Sequence, residues 1–240
     1  MKKTLFLTAS LLILNSCTST KVNLALDYIG AFNDEIKIVK LSNTETEVIF
    51  FPMIHIGTEP FYNDVIKKID SLENMGFYTY CESMSSIPND STSLRKARKL
   101  LGFPIPKKGK GYMSVLDSLY KFKLKKKLIS QPTYKDLGID SLKGRNVDLT
   151  LNQVIDEYER RFGQIILNKC DYQTAYSEKT VCKDKPVSKK NRNEIIIEYR
   201  NKNVINNIIS DSHKKIIIMY GANHVIGIKK DLLNLGFVEM

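Results

Sequence analysis

Past Leu14 the sequence has no run long and apolar enough to cross a bilayer, so no membrane-spanning helix is expected there. Histidine is scarce: three residues in 240, so any imidazole chemistry has few places to be. There are four cysteines, but no CxxC spacing and no histidine beside a cysteine pair to support a zinc site. No repeat of solenoid length occurs. The formal charge is +11, yet there is no nucleic-acid reader motif and no aromatic interleaving on a basic face, so nucleic acid is not the expected partner. What remains is a chain long enough to bury a sizeable core in one domain.

The N-terminus reads as a targeting segment. Lys2 and Lys3 form a basic region, Leu5 to Leu14 an apolar one, and Leu14-Asn15-Ser16-Cys17 resembles the lipobox of bacterial lipoproteins. That resemblance implies cleavage before Cys17, lipidation of its sulfur by several acyl chains, and a chain anchored to a membrane in the bacterial cell envelope, outside the cytoplasm. The alternative is an ordinary cleaved signal with an incidental cysteine. Residues 18–34 then read as a tether and 35–240 as the folded domain. In an oxidising compartment disulfides persist. Cys170 and Cys182 bracket a polar segment without helical or strand periodicity, which favours a disulfide between them over a metal pair. Cys81 lies within an apolar strand and reads as a small buried hydrophobe. The lysine runs at 107–110, 121–127 and 183–190 suit either an anionic membrane surface or plain solvated faces.

Along the chain, Glu35 to Leu41 and Thr46 to Ile54 read as a hairpin across Ser42-Asn43-Thr44. The second strand ends in His55, and Gly57 breaks it. Thr58 is the expected N-cap of a helix with Pro60 in its first turn, ending at Gly76. Phe77 to Cys81 is the next strand, terminating in Glu82. This places His55 and Glu82 at one edge of a sheet, the edge where α/β proteins collect ligands. Packing within a strand end is the alternative for His55. From Ser85 to Pro132 the pattern becomes helical and basic: Leu94 to Leu101, a Gly/Pro/Lys loop, then Val115 to Leu128. It reads as an insertion or lid. Asn146 to Leu149 is a short strand, Thr150 opens a capping box with Gln153, and the helix Leu151 to Phe162 stops at Gly163. Ile195 to Ile209 is a helix, and Ile216 to Tyr220 a buried strand leading into Gly221-Ala222-Asn223-His224. The closing helix carries Ile228, Leu232 and Leu233. His55 and His224 are placed alike, each capping an apolar strand before a helix.

These pieces resemble a family. Met53 to Gly57 followed by Pro60-Phe61-Tyr62, a strand ending in Glu82, Val147-Asp148-Leu149-Thr150, Arg200-Asn201 and Gly221-Ala222-Asn223-His224 with Gly227 occur in the order seen in the TraB/PrgY/GumN group. That group is related to the Tiki metalloproteases and, more distantly, to erythromycin-esterase-like and haem-binding ChaN-like proteins. The resemblance runs from about Thr46 to the C-terminus and leaves the basic middle unaccounted for. It implies an α/β fold with a mixed central sheet flanked by helices and a basic helical insertion at about 85–130.

Carried onto this sequence, the resemblance implies a divalent metal, manganese or cobalt, held by His55, Glu82 and His224, with Asp148, Arg200 and Asn201 as catalytic groups. The metal would activate water and polarise a peptide or similar acyl bond. Arg200 would grip an oxyanion or a substrate carboxylate, and Asp148 would orient a histidine or act as base. The glycine expected three residues before the first histidine is Pro52 here, which alters how closely backbone can approach a ligand. Each residue also has a plainer role. Glu82 can ion-pair with Arg200, Asp148 can assist the turn into Thr150, Asn201 can bond backbone, and His213 reads as solvated. A binding protein that sequesters a peptide, pheromone or haem is the contrasting expectation.

Overall fold

The computed structural model describes residues 19–85, 90–107, 109–119, 123–180, 182 and 187–240. In chain order its elements are α1 (19–28), β1 (Val39–Ser42), β2 (Glu47–Met53), β3 (Ile56–Gly57), α2 (Glu59–Asn74), β4 (Tyr78–Cys81), α3 (Ser91–Leu101), α4 (Tyr112–Leu119), β5 (Ile129–Ser130), β6 (Gly144–Asn146), α5 (Leu151–Phe162) and α6 (Lys169–Gln173). One continuous helix follows, made of α7 (Lys189–Asn193), a π-helical stretch (Glu194–Tyr199) and α8 (Arg200–Ser210). β7 (Lys215–Gly221), a single 3₁₀ turn, α9 (Val225–Asn234) and β8 (Val238–Glu239) complete it. Cys17 and its lipobox lie outside the described residues.

The strands form a mixed six-stranded sheet in the order β6-β4-β7-β2-β1-β8. β6, β4, β7 and β2 run parallel, while β1 is antiparallel to β2 and to β8. The apolar runs of β2 and β7 are explained by burial on both faces. Ile49, Phe51, Met53, Ile217 and Met219 point to the side covered by α2. Val48, Phe50, Ile216, Ile218 and Tyr220 point to the side covered by α8 and α9. Pro52 is tolerated in this central strand because β1 pairs with β2 only as far as Phe50, so Pro52 lies past that ladder.

Local signals act as their chemistry dictates. The Thr58 hydroxyl accepts from Phe61 N–H at the start of α2, and Gly76 follows that helix at φ +84°. Thr150 and Gln153 form a reciprocal capping box, and α5 ends at Gly163.

Four expectations are corrected. The segment read as a tether turns back as α1, because Leu26, Ala31 and Phe32 are apolar enough to be buried against Leu128. The helix expected over Val115–Leu128 starts at Tyr112, and residues 123–128 are not helical; Lys125 and Lys126 are drawn instead to Asn23, Asp27 and Asp34. The short strand expected at Asn146–Leu149 lies at Gly144–Asn146. There a Cβ on Gly144 would come within 2.7 Å of the Thr79 carbonyl, so only glycine permits the pairing with β4. Leu233 is exposed on α9 and does not join the core.

The basic middle is two pieces, not one lid. α3 packs on α5 in a satellite core with Leu149, Val154, Ile155 and Ile195. β5 pairs with β3 in a separate two-stranded sheet. Cys170 and Cys182 are joined, with Cα atoms 5.8 Å apart, and Cys81 is a free thiol buried in β4.

Candidate functional site

The C-terminal ends of β2, β4, β6 and β7 bring together most of the residues the sequence singled out. Glu82 follows β4 directly, and its N–H donates to the Met219 carbonyl at 3.1 Å, extending the ladder by one step. The Glu82 side chain therefore falls on the α8 face. Its Oε2 accepts from Gly221 N–H at 2.5 Å and its Oε1 from Arg200 Nη2 at 2.5 Å. A Cβ on Gly221 would lie 3.3 Å from that carboxylate, so the small residue leaves it room. Asp148 follows β6 and presents a carboxylate with 0 % exposure to the same arginine.

Arg200 is the hub. It stands where the π-helical stretch passes into α8, and a widened turn of this kind re-aims side chains. Its Nε donates to Asp148 Oδ1 at 2.9 Å, and Nη2 donates to Asp148 Oδ2 at 2.6 Å as well as to Glu82. Nη1 donates to the Ile196 carbonyl at 3.2 Å and faces His224 Nε2 at 3.2 Å. A guanidinium has five N–H donors and accepts nothing, and all five are engaged. Arg200 therefore has no donor left for an oxyanion or a substrate carboxylate in this arrangement.

The same fact fixes the tautomer of His224. Facing a pure donor, Nε2 accepts, so the ring proton is on Nδ1 and is donated to Asn201 Oδ1 at 2.6 Å. Asn201 thus holds an imidazole rather than backbone. It reaches the ring only because residue 227 is glycine: a Cβ there would sit 2.2 Å from Asn201 Nδ2. The spacing from Gly221 through His224 to Gly227 so acquires a mechanical reading, one glycine for Glu82 and one for Asn201.

The electrostatics follow. Burial pushes His224 down to about 4, with Arg200 adding to the effect against Glu82, so the ring is neutral at pH 7. Burial opposes the charge of Glu82, but Arg200 beside it brings the carboxyl below the usual range. Burial likewise opposes the charge of Arg200, and the bonds to Asp148 and Glu82 more than offset it.

His55 stands apart from this network. β2 ends at Met53, and His55 lies exposed in the bend before β3. Tyr62 of α2 donates to the Ile54 carbonyl at 2.8 Å, and Gln131 N–H donates to the His55 carbonyl at 2.9 Å, so the bend is pinned from both sides. The ring stacks on Tyr112 at 4.4 Å between centroids, 14° from parallel. Tyr112 opens α4 and can come this close because Gly111 precedes it: a Cβ at 111 would lie 2.2 Å from Ser130 Oγ.

His55, Glu82 and Tyr112 line two adjoining cavities. One, of about 200 Å³, also has Gly111, Gln131 and Tyr134 in its wall; the other, of about 300 Å³, reaches Arg200 and the side chains of α3. Burial, helped by the charge on Glu82, raises the Tyr112 phenol, which stays protonated and able to donate.

The expected metal set of His55, Glu82 and His224 does not fit a shared ion as the residues stand. Among the described residues no group of three His, Cys, Asp or Glu side chains is arranged to hold a metal. The geometric reason is that the lone pair of His224 Nε2 and Glu82 Oε1 both face Arg200, whose guanidinium occupies the point where an ion would bridge them. His213, far from this edge, stacks on Tyr78 and bonds Asp211.

Sequence reasoning missed Tyr112, Tyr134 and Tyr220. Tyr134 donates to the Glu82 carbonyl at 2.5 Å from the opposite face of the sheet. Tyr220 lies edge-on to His224 with a buried hydroxyl that has no partner among the described residues. The one available signal was Gly111-Tyr112, a glycine leading directly into an aromatic after a loop.

Fold and site together define an α/β protein with a buried ionic hub and an exposed imidazole at the ligand-accepting edge of a mostly parallel sheet. Comparison with protein-family models, with curated proteins and with solved structures found no match.

Proposed function

We propose that the cleft between His55, Tyr112 and Glu82 is the site of an acyl-bond hydrolase, peptidase-like, in a lipid-anchored envelope protein of the TraB/GumN type. The observation that carries this reading is the pairing of an exposed imidazole with a rigid, charged floor at the strand C-termini, over cavities of about 200 and 300 Å³. In this reading His55 takes the proton from the attacking water. The protonated phenol of Tyr112 donates to the oxyanion, and the Arg200 network holds Glu82 ionised and in place. Arg200, Asp148, Asn201 and His224 are then positioning residues, and no step runs through a metal.

A second reading has its own support. Tyr112 lies flat on His55 and covers one face of the imidazole, as suits a site that binds and retains a peptide, pheromone or haem without turning it over.

The deciding experiment is turnover of a mixed peptide and ester library by the chain from residue 18 onward, in wild type and in His55→Ala, with and without manganese, cobalt or zinc. Turnover without added metal that His55→Ala abolishes supports the hydrolase. Turnover that requires a metal and survives His55→Ala removes the proposed base. Absence of turnover, with a Soret band on haem addition or retention of a peptide, favours the binder. For the anchor, Cys17→Ser moves the protein from the membrane fraction to the soluble one.

A further inference from the structure

We infer that the larger cavity beside His55 receives an apolar chain ending in a protonated amine, so that the ligand class of this site is a short amine-bearing acyl compound, such as a small peptide with a free N-terminus and an apolar first residue. The inference deepens the hydrolase reading in naming its substrate, but its binding component stands without any turnover.

Two features of the cavity carry it. The first is its wall. Leu94 and Leu101 come from α3, Ile105 from the loop beyond it, Leu151 from α5 and Ile196 from the π-helical stretch, and Met84 lines it too. Among the described residues no lysine lines it, although the chain as a whole carries a formal charge of +11. At about 300 Å³ it is at the small end of ligand pockets, sized for one or two amino-acid residues rather than a long peptide.

The second feature is the floor, which has one charged group of each sign and only one of them available. Arg200 is 4 % exposed with all five N–H donors engaged, so it offers an incoming anion nothing. The Glu82 side chain is 15 % exposed. A carboxylate has about four acceptor positions, and Arg200 and Gly221 take two of them. What a ligand meets at the floor is therefore a fixed negative charge with acceptor capacity to spare, backed by a second carboxylate on Asp148. An ammonium group completes that set, while a carboxylate entering the same space meets like charge in a largely desolvated site.

The test uses three probes of one length, hexylamine, hexanol and hexanoate, titrated at pH 7.5 into the chain from residue 18 onward by calorimetry and thermal shift. The expected result is saturable binding of hexylammonium at least tenfold tighter than hexanol, with hexanoate weakest. Leu101→Lys, which puts a cation into the wall without touching the ionic hub, is expected to abolish hexylammonium binding and to strengthen hexanoate. Leu94→Lys is a second variant with the same expected outcome should the first not fold. Equal binding of all three probes, no binding of any, or a preference for hexanoate overturns the inference. So does a divalent metal that alone raises the melting temperature and displaces hexylammonium. Because binding is read and not turnover, the ranking can hold when hydrolysis fails, and hydrolysis can hold when the ranking fails.

Discussion

Two buried ionic clusters in this protein are near mirror images. At the sheet edge one cation, Arg200, is shared by two carboxylates, Glu82 and Asp148. In the satellite core one carboxylate, Asp171, is shared by two cations, Arg98 and Lys99. Both hubs are nearly inaccessible, yet their surroundings differ. Arg98 directs its N–H groups mostly at carbonyls of residues 171, 174 and 175, tying the end of α6 and the loop after it to α3. Its Nε has no partner among the described residues. That is a clamp between helices and loops. Arg200 instead ties together the ends of two strands and a titratable imidazole, and one of its carboxylates opens into a cavity. A buried ion pair is thus not in itself a functional signal. What distinguishes the edge cluster is its neutral histidine, its position at the strand C-termini and the cleft above it.

The largest effect that separates the clusters is expected on removing the buried arginine of each. Arg200→Ala leaves two carboxylates buried without a cation and is expected to cost on the order of 4 kcal/mol. Arg98→Ala leaves Lys99 to neutralise Asp171 and is expected to cost roughly half as much. Urea denaturation of both variants measures the gap, and equal losses would break the distinction.

Next in size is pH. Burial depresses the pKa of His224 in the folded state to about 4, against an ordinary 6.5. The native state therefore binds fewer protons than the unfolded state between those values, so the contribution is fully present above pH 6.5 and is lost as pH falls toward 4. The expected loss is roughly 3 kcal/mol, with Glu82 acting in the same direction. Stability against pH for wild type and His224→Gln checks it: the variant should lose the His224 part of the slope.

Gly227→Ala is expected to cost about 1–3 kcal/mol, since the new methyl must displace Asn201 from beside His224. A matching loss of turnover or ligand binding would show that Asn201 positions the ring. The smallest effect is expected for Tyr220→Phe, which removes a buried hydroxyl with no partner among the described residues and should change stability by less than about 1 kcal/mol, toward greater stability. A larger loss would reveal a partner for that hydroxyl in solution.

Much of the fold was legible because local chemistry agreed with the tertiary outcome. The runs of β2 and β7, the caps at Thr58 and Thr150 and the stops at Gly76 and Gly163 were each readable from their own few residues. The illegible parts were those where distant residues decide. The helix expected to run to Leu128 stops short, and the lysines beyond it find carboxylates and carbonyls far away in the chain. α1 exists as a packed element because Leu26, Ala31 and Phe32 meet Leu128, a contact between residues about a hundred positions apart. The strand expected at Asn146 shifted because pairing with β4 requires the bare backbone of Gly144.

The candidate site divides in the same way. That Glu82 and His224 lie at one edge followed from strand ends, which the sequence by itself marked through periodicity, whereas Asp148, Arg200 and Asn201 were drawn to that edge only by the family resemblance. Which groups face one another was decided only by the tertiary structure. An arginine with five donors has five acceptors to find, and whether it takes them from a substrate or from its own protein depends on where the ends of β4, β6 and β7 and the first turns of α8 come to rest. Here they surround it completely. That leaves Glu82, His55 and the Tyr112 phenol, not Arg200, as the titratable groups that the described residues present to the cleft.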